Sequence, residues 1–132
     1  MATRFQREAS GEFAITAASA TSVSIGTSVY ASSVHVSHNQ PPQAWPVTCF
    51  AELSSAALSQ AVAPGIEIVL IGTGPALRFP RPDVLRPLID ARIGYEVMST
   101  DAACRTYNLL LAEGRAVVAL LLIETGEAAN RG

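Results

Sequence analysis

Two apolar runs in the second half of the chain predict strands that are buried on both faces. The segment IEIVLI covers residues 66–71, and the segment AVVALLLI covers residues 116–123. The first run is β-branched and apolar after Glu67, and the second run is apolar throughout, as is typical of strands with helices above and below them. We therefore expect two interior strands that lie side by side, the second of them central to its sheet.

The clearest helix is predicted between these two runs. In STDAACRTYNLLLAEG, Ser99 or Thr100 is the expected N-cap, and Asp101 lies near the positive end of the helix dipole. Gly114 ends the helix. The preceding YEVM predicts a short strand.

Two shorter helices have boundaries marked by proline or glycine. In RPDVLRPLIDARIG we expect a helix over residues 83–92 that Asp83 caps and Gly94 closes. Pro87 then falls in the first turn, where proline is tolerated. A third helix is predicted in ELSSAALSQAVAPG. Its apolar face contains Leu53, Ala57 and Leu58, and Pro64 and Gly65 end it.

The first half of the chain predicts strands rather than helices. Over residues 12–36, Val and Ala alternate with Ser and Thr. Gly26 and Thr27 fit a two-residue hairpin turn with glycine first. The apolar positions change parity later in this region, so we expect a bulge near Ser32 and Ser33.

The order of these elements predicts the fold class. Three prolines in SHNQPPQAWPV, residues 37–47, predict a surface loop that separates the strand-rich half from the mixed half. Strands that alternate with helices and short connections are typical of right-handed crossovers in a largely parallel sheet. We therefore expect one α/β domain over residues 1–132 with a β-rich N-terminal region, an ordered core over about 12–124 and a flexible tail over 125–132.

Composition excludes several functions. The chain has 132 residues, of which 49% are hydrophobic and 15% are charged. The net charge is −2, and the charged residues do not form blocks of one sign, so a nucleic acid partner is not expected. There is no lysine, which excludes a Schiff-base lysine and the lysine-bearing phosphate loop. The two cysteines are not closely spaced, which predicts no metal site and fits a cytoplasmic location. No apolar run is long enough to span a membrane, so membrane insertion is not expected.

The glycine turn after the first apolar run is the most interesting candidate site. A dinucleotide fingerprint would need a third glycine where Leu77 stands, and Pro75 lacks a backbone amide. Two interpretations stay open. Gly72–Gly74 could hold a carboxylate or phosphate with Arg78 and Arg81, because arginine matches such groups. Alternatively, the glycines turn a crowded corner, and the arginines are solvated or paired with acids.

Polar groups within the clearest helix form a second set of candidates. Thr106 and Asn108 interrupt its apolar sequence, so Asn108 is expected either to bind the backbone of the glycine turn or to line a pocket there. Cys104 lies near the positive end of the helix, where a thiol can become reactive, although a small buried side chain is the alternative. His35 and His38 are expected on the surface.

The combined pattern EIVLIGTG, then RFP, then IGYEVMSTDAACRTYNLLLAEGRAVVALLL resembles a family of small bacterial and archaeal α/β domains, the domain-of-unknown-function 498 family. The resemblance extends more loosely to SVYASSVHV and Trp45. It implies a three-layer domain with a mixed five-stranded sheet and helices on both sides. The matching motif residues are Gly72, Thr73, Gly74, Arg78, Thr106, Asn108, Glu113 and Arg115.

Two functional hypotheses follow. The family resemblance includes a mitochondrial assembly factor for respiratory complex I, which implies a module that binds protein partners without chemistry of its own. The residues support this view, because they offer no matched acid, base and nucleophile, and no cofactor is expected. The alternative is a small anionic-ligand site or enzyme at Gly72–Gly74 with Arg78, using Asn108 or Cys104. Formation of a homo-oligomer stays open.

Overall fold

The computed structural model describes residues 3–4 and 11–124. The predicted tail over 125–132 lies outside the described residues. The strands are β1 Thr3–Arg4, β2 Ile15–Ala18, β3 Val23–Ile25, β4 Ser28–Tyr30, β5 Val34–Ser37, β6 Gln43–Ala44, β7 Ile68–Gly72, β8 Gly94–Met98 and β9 Val117–Leu121. The helices are α1 Ser55–Ser59, α2 Arg86–Asp90 and α3 Thr100–Ala112, and a 3₁₀ turn covers Phe50–Glu52.

A mixed five-stranded sheet forms the centre of the fold, with the strand order β6-β5-β9-β7-β8. Strand β7 runs parallel to both β8 and β9, whereas β5 runs antiparallel to β9 and to β6. The two predicted interior strands are therefore direct neighbours, with Gly72 opposite Leu121. Since parallel neighbours end at the same edge of a sheet, the segments that follow β7 and β9 emerge together.

Both faces of this sheet are covered, which explains why its strands are apolar throughout. Helix α3 and the strands of a second, smaller sheet pack on one face, where Leu70 and Ala119 meet Tyr107. Helices α1 and α2 pack on the other face, where Leu58 and Leu88 meet neighbouring side chains of β7 and β9. The α/β class, with a mixed five-stranded sheet between helical layers, is confirmed.

The smaller sheet contains β1 to β4 in antiparallel order. Its β3–β4 hairpin turns at Gly26 and Thr27, and Gly26 has a φ of +62°, as the sequence predicted. The bulge predicted near Ser32 and Ser33 is wrong, because the chain leaves this sheet after Tyr30 and enters the five-stranded sheet at β5. The change of parity therefore marks a change of sheet.

The proline-rich segment is less exposed than the sequence predicts. Strand β6 follows Pro42 and pairs with β5, so the segment contributes an edge strand. Trp45 is buried, and its indole nitrogen donates to the carbonyl oxygen of Ala57 at 3.1 Å. This hydrogen bond ties α1 to the end of the segment. Because the Trp45 indole is both buried and hydrogen-bonded, this end of the segment is fixed to the rest of the fold.

Helix α3 follows its prediction, and the two shorter helices depart from theirs. The hydroxyl of Ser99 caps α3 by accepting from the amide of Ala102. Helix α1 ends at Ser59, before the predicted proline and glycine stop. Helix α2 begins at Arg86 after a run of tight turns, so the predicted Asp83 cap is wrong, although proline does lie in the first turn.

The predicted glycine closure of α2 is also wrong. Arg92 takes the left-handed conformation there, with a φ of +57°, and Gly94 begins β8.

Candidate functional site

The turn after β7 is closed by hydrogen bonds within the protein. The amide of Thr73 donates to the carbonyl oxygen of Met98 at 2.9 Å, and the amide of Gly74 donates to the hydroxyl of Thr100 at 2.8 Å. The hydroxyl of Thr100 donates in turn to the carbonyl oxygen of Leu122 at 2.7 Å. Because these turn amides already have acceptors, they are not free to cradle a phosphate.

The two glycines of the turn each have a packing reason. A Cβ atom on Gly72 would lie 2.9 Å from the Cα atom of Thr100, so glycine lets the N-terminus of α3 approach β7. Gly74 has a φ of +96°, and a Cβ atom there would lie 2.9 Å from a guanidinium nitrogen of Arg78. The glycines therefore allow α3 and the Arg78 side chain to pack against the turn.

Arg78 points inward and binds a carboxylate of the protein itself. Its Nη2 atom donates to Oε1 of Glu124 at 2.9 Å and to the carbonyl oxygen of Thr73 at 2.7 Å. The guanidinium carbon lies 4.7 Å from the centroid of the Phe50 ring. Oε2 of Glu124 accepts from the amide of Phe50 at 2.9 Å. The pair therefore joins the glycine turn, the 3₁₀ turn and the residues that directly follow β9.

Sequence reasoning missed Glu124, which it placed at the end of the ordered core without assigning it a role. The Glu124 side chain is only 5% exposed. One signal could have found it: Glu124 follows a buried strand that runs parallel to β7, so it must emerge beside the glycine turn. An acid at that edge is the natural partner for an arginine of the turn.

Arg81 and Arg78 do not converge. The side chain of Arg81 is 80% exposed and pairs with Asp83, with Nε 3.4 Å from Oδ1. One of the two arginines predicted to hold an anion is therefore in solvent, and the other contacts a buried carboxylate.

Asn108 is an anchor, but the predicted partner is wrong. Its Oδ1 accepts from the amide of Ile15 at 2.8 Å, and its Nδ2 donates to the carbonyl oxygen of Ile15 at 2.7 Å. It therefore ties the smaller sheet to α3, while Thr100 binds the glycine turn. Thr106 is half-buried on the same helix.

Cys104 is fully buried against the five-stranded sheet. The pKa of the thiol is raised to about 12, chiefly by burial and also by the nearby Asp101, while Arg105 opposes the shift. At neutral pH the thiol is therefore protonated, which does not favour a nucleophile. Cys49 is also a buried free thiol.

The prediction that both histidines lie on the surface is wrong for His35. The residue is 7% exposed in β5, between β6 and β9, and its Nδ1 atom has no hydrogen-bond partner among the residues that the structure describes. Burial lowers the pKa of His35, so the neutral imidazole is favoured. His38 is half-buried. Within residues 3–4 and 11–124, no three His, Cys, Asp or Glu side chains gather as a metal-binding group.

Two surface features flank the turn. A cleft of about 510 Å³ opens between the β2–β3 connection and the turn, and Thr21, Pro75, Asp101 and Glu124 are among its walls. The following residues, 75–79, form an exposed loop in which Leu77 is 50% exposed and Phe79 is 74% exposed. We refer to these features as the cleft and the exposed loop.

A smaller pocket of about 240 Å³ lies beyond the exposed loop, with Phe50, Leu53, Pro80 and Val84 in its walls and Arg81 at one side. Most of the residues that line this pocket are apolar. In the described part of the chain, no helix is both long enough and apolar enough to cross a membrane.

Comparison with known proteins decides the family. A family model matches residues 15–122, which include the whole of the five-stranded sheet. The chain belongs to the family described as protein of unknown function (DUF498/DUF598). The resemblance that the sequence motifs predicted is therefore confirmed.

Relatives of this DUF498 chain include proteins with functional names. It is 42% identical over 66 residues to NADH dehydrogenase (ubiquinone) 1 alpha subcomplex assembly factor 3 of Mus musculus, a match to 50% of this chain and 36% of that protein. It is 38% identical over 56 residues to a 13 kDa major membrane protein of Francisella tularensis, which covers 42% of this chain and 46% of the relative. The chain thus spans about a third to a half of these relatives.

A solved structure supports the same fold over nearly the full chain. The crystal structure of a protein from Bordetella parapertussis matches with a TM-score of 0.80 at 32% identity, covering 87% of this chain and 98% of that protein.

Proposed function

We propose that this chain is a non-catalytic protein-binding module of the assembly-factor kind, whose partner docks on the exposed loop. The observation that carries the proposal is Phe79, a large aromatic side chain that is mostly exposed on a loop held by internal hydrogen bonds. Aromatic side chains are enriched among the residues that dominate protein–protein binding energy. The mouse relative, named as an assembly factor, supports the same functional class.

The exposed loop is held in one conformation, which favours binding. The hydroxyl of Thr73 donates to the carbonyl oxygen of Ala76 at 2.7 Å and accepts from the amide of Arg78 at 3.1 Å. Arg78 points inward to Glu124, so its neighbours Leu77 and Phe79 point outward. A loop that is already ordered loses little conformational entropy when a partner covers it.

The apolar pocket beside the loop extends this surface. Pro80 follows Phe79 directly and forms part of the pocket wall with Phe50 and Leu53. An apolar side chain of a partner that covers Phe79 could therefore enter a neighbouring cavity lined with similar groups. Arg81, exposed at the same pocket, adds a charged residue of the kind found at interfaces.

An anionic-ligand site is less well supported. An anion at the turn would have to compete with the Glu124 carboxylate for Arg78, and it would meet Asp101 in the cleft. A screen of phosphates, nucleotides and organic acids by thermal shift tests this alternative. A stabilisation that disappears in Arg78→Ala would favour the ligand site over the docking loop.

A photo-crosslinking experiment tests the proposal. A photoreactive amino acid replaces Phe79, and a matched protein carries it at Val29, which is 66% exposed on the smaller sheet. We expect residue 79 to capture a specific protein that residue 29 does not. The purified partner must also bind in vitro, and Leu77→Ser must weaken that binding. Equal capture at both positions, or capture at neither, contradicts the proposal.

We also propose a cytoplasmic location, since Cys49 and Cys104 are both free thiols.

A further inference from the structure

We propose that the cleft receives a basic side chain, arginine or lysine, from the same partner segment that covers the exposed loop. This inference rests on the proposed function, because it specifies the chemistry of that partner. The two sites are continuous: Pro75 forms part of the cleft wall and also begins the exposed loop. A single extended segment could therefore lie over Leu77 and Phe79 and reach the cleft.

The charge of the cleft identifies its occupant. The ionisable residues among its described walls are Asp101 and Glu124, and the hydroxyl groups of Ser19, Thr21 and Thr100 line it as well. Carboxylates attract cations and accept hydrogen bonds, and arginine and lysine are the side chains that offer both a positive charge and several donors. A volume of about 510 Å³ exceeds what one such side chain needs and accommodates flanking backbone.

Each carboxylate keeps acceptor capacity despite its existing partner. Asp101 contacts Arg105 through its Oδ2 atom, and slightly more than half of each side chain is exposed. In Glu124 one bond reaches each oxygen, from Arg78 and from the amide of Phe50. Because a carboxylate has about four acceptor sites, an incoming donor can bind the half-exposed Asp101 without displacing Arg105. Glu124, whose side chain is 5% exposed, contributes chiefly its negative charge.

Arg105 is a competitor for Asp101, and this provides a gain-of-function test. In Arg105→Ala the Asp101 carboxylate loses its intramolecular cation, so it should attract a basic partner residue more strongly. We expect affinity to rise about threefold in Arg105→Ala. We expect it to fall about tenfold in Asp101→Lys, where the charge at position 101 is reversed and the two charged walls of the cleft cancel.

The chain contains a matched control pair. Arg86 and Asp90 form an i,i+4 ion pair on α2, with exposed side chains like those of Asp101 and Arg105. Arg86→Ala and Asp90→Lys make the same chemical changes away from the cleft. They should leave partner affinity unchanged, which separates an effect of the cleft from an effect of net charge.

Crosslinking from the cleft wall provides the decisive experiment. A photoreactive amino acid at Thr21, which is exposed at the cleft, should capture the same partner as residue 79, and mass spectrometry should map the crosslink to within a few residues of an arginine or lysine. Replacing that partner residue by glutamine should weaken binding of the purified partner to the wild type but not further weaken binding to Asp101→Lys.

The outcomes separate this inference from the proposed function. Capture at residue 79 without capture at residue 21 overturns the cleft inference and leaves the docking loop intact. Capture at residue 21 beside a segment without basic residues also overturns it, as does equal binding by Asp101→Lys and Asp90→Lys. Failure of capture at both positions overturns both proposals. Unfolding midpoints of every variant, measured in urea, identify any change that acts by destabilising the fold.

Discussion

The guanidinium of Arg78 donates to the carboxylate of Glu124 at 2.9 Å, across 46 positions of sequence, where the two side chains are 23% and 5% exposed. The arginine beside the glycine turn thus binds an anion that the chain itself supplies. This arrangement directs Arg78 into the protein and leaves Leu77 and Phe79 on the surface. The turn stabilises the loop, and the loop is the surface that we propose a partner recognises.

Removing the charge of Glu124 should destabilise the protein. In Glu124→Gln the shape of the side chain is kept, but the largely buried guanidinium of Arg78 loses its ion pair with Glu124, so we expect a loss of about 2 kcal/mol in the free energy of unfolding. Urea denaturation measures it. Asp83→Asn is the matched control, because it breaks the exposed pair with Arg81, and it should cost less than about 0.5 kcal/mol. Equal effects would contradict a structural role for the Arg78 pair.

The elements that local sequence signals define were predicted well. The β-branched runs gave β7 and β9, and Ser99 and Gly114 bounded α3, because strand burial and helix caps depend on neighbouring residues. The roles of Asn108 and Glu124 were not predictable in this way. Each depends on which distant segments meet in the fold.

The burial of His35 has the same explanation. Its strand is buried because β6 and β9 pair on either side of it, and the prolines before β6 concealed that edge strand from sequence analysis.

The anchor between α3 and the smaller sheet can be tested at Asn108. Asn108→Leu keeps the volume but leaves the amide and carbonyl groups of Ile15 without their partners, so we expect a loss of about 2 kcal/mol in unfolding free energy. The Ile15 amide should also exchange faster with deuterium. Leu109→Asn, on the exposed side of the same helix, should have almost no effect. Slow exchange at Ile15 in Asn108→Leu would contradict the anchor.

The burial of His35 predicts a pH dependence of stability. Its pKa is lowered in the folded protein, so between about pH 6.5 and the lower folded value the unfolded chain binds more protons. Stability is therefore complete above about pH 6.5 and falls as the pH decreases, by at most about 1.4 kcal/mol per pH unit. Urea denaturation at pH 7.5 and 5.5 measures the fall. His35→Gln should reduce it and His38→Gln should retain it; the same fall in both variants refutes this origin.

The buried thiol predicts slow alkylation. With a pKa of about 12, the thiol of Cys104 is ionised to about one part in ten thousand at pH 8, against about a quarter for a free cysteine. In a Cys49→Ser background, iodoacetamide should modify Cys104 at least about a thousandfold more slowly in the folded protein than in urea, as followed by mass spectrometry. Modification of the folded protein at the rate of the unfolded chain would show that Cys104 is accessible and reactive.

The docking surface is tested most directly by comparing affinity with stability in Phe79→Ser. Phe79 is mostly exposed, so its loss should leave the unfolding free energy within about 0.5 kcal/mol of the wild type. Titration calorimetry with the partner captured at residue 79 should show a dissociation constant at least about tenfold higher, because exposed aromatic anchors contribute strongly to binding. An unchanged dissociation constant, with the fold intact, would contradict recognition through this loop.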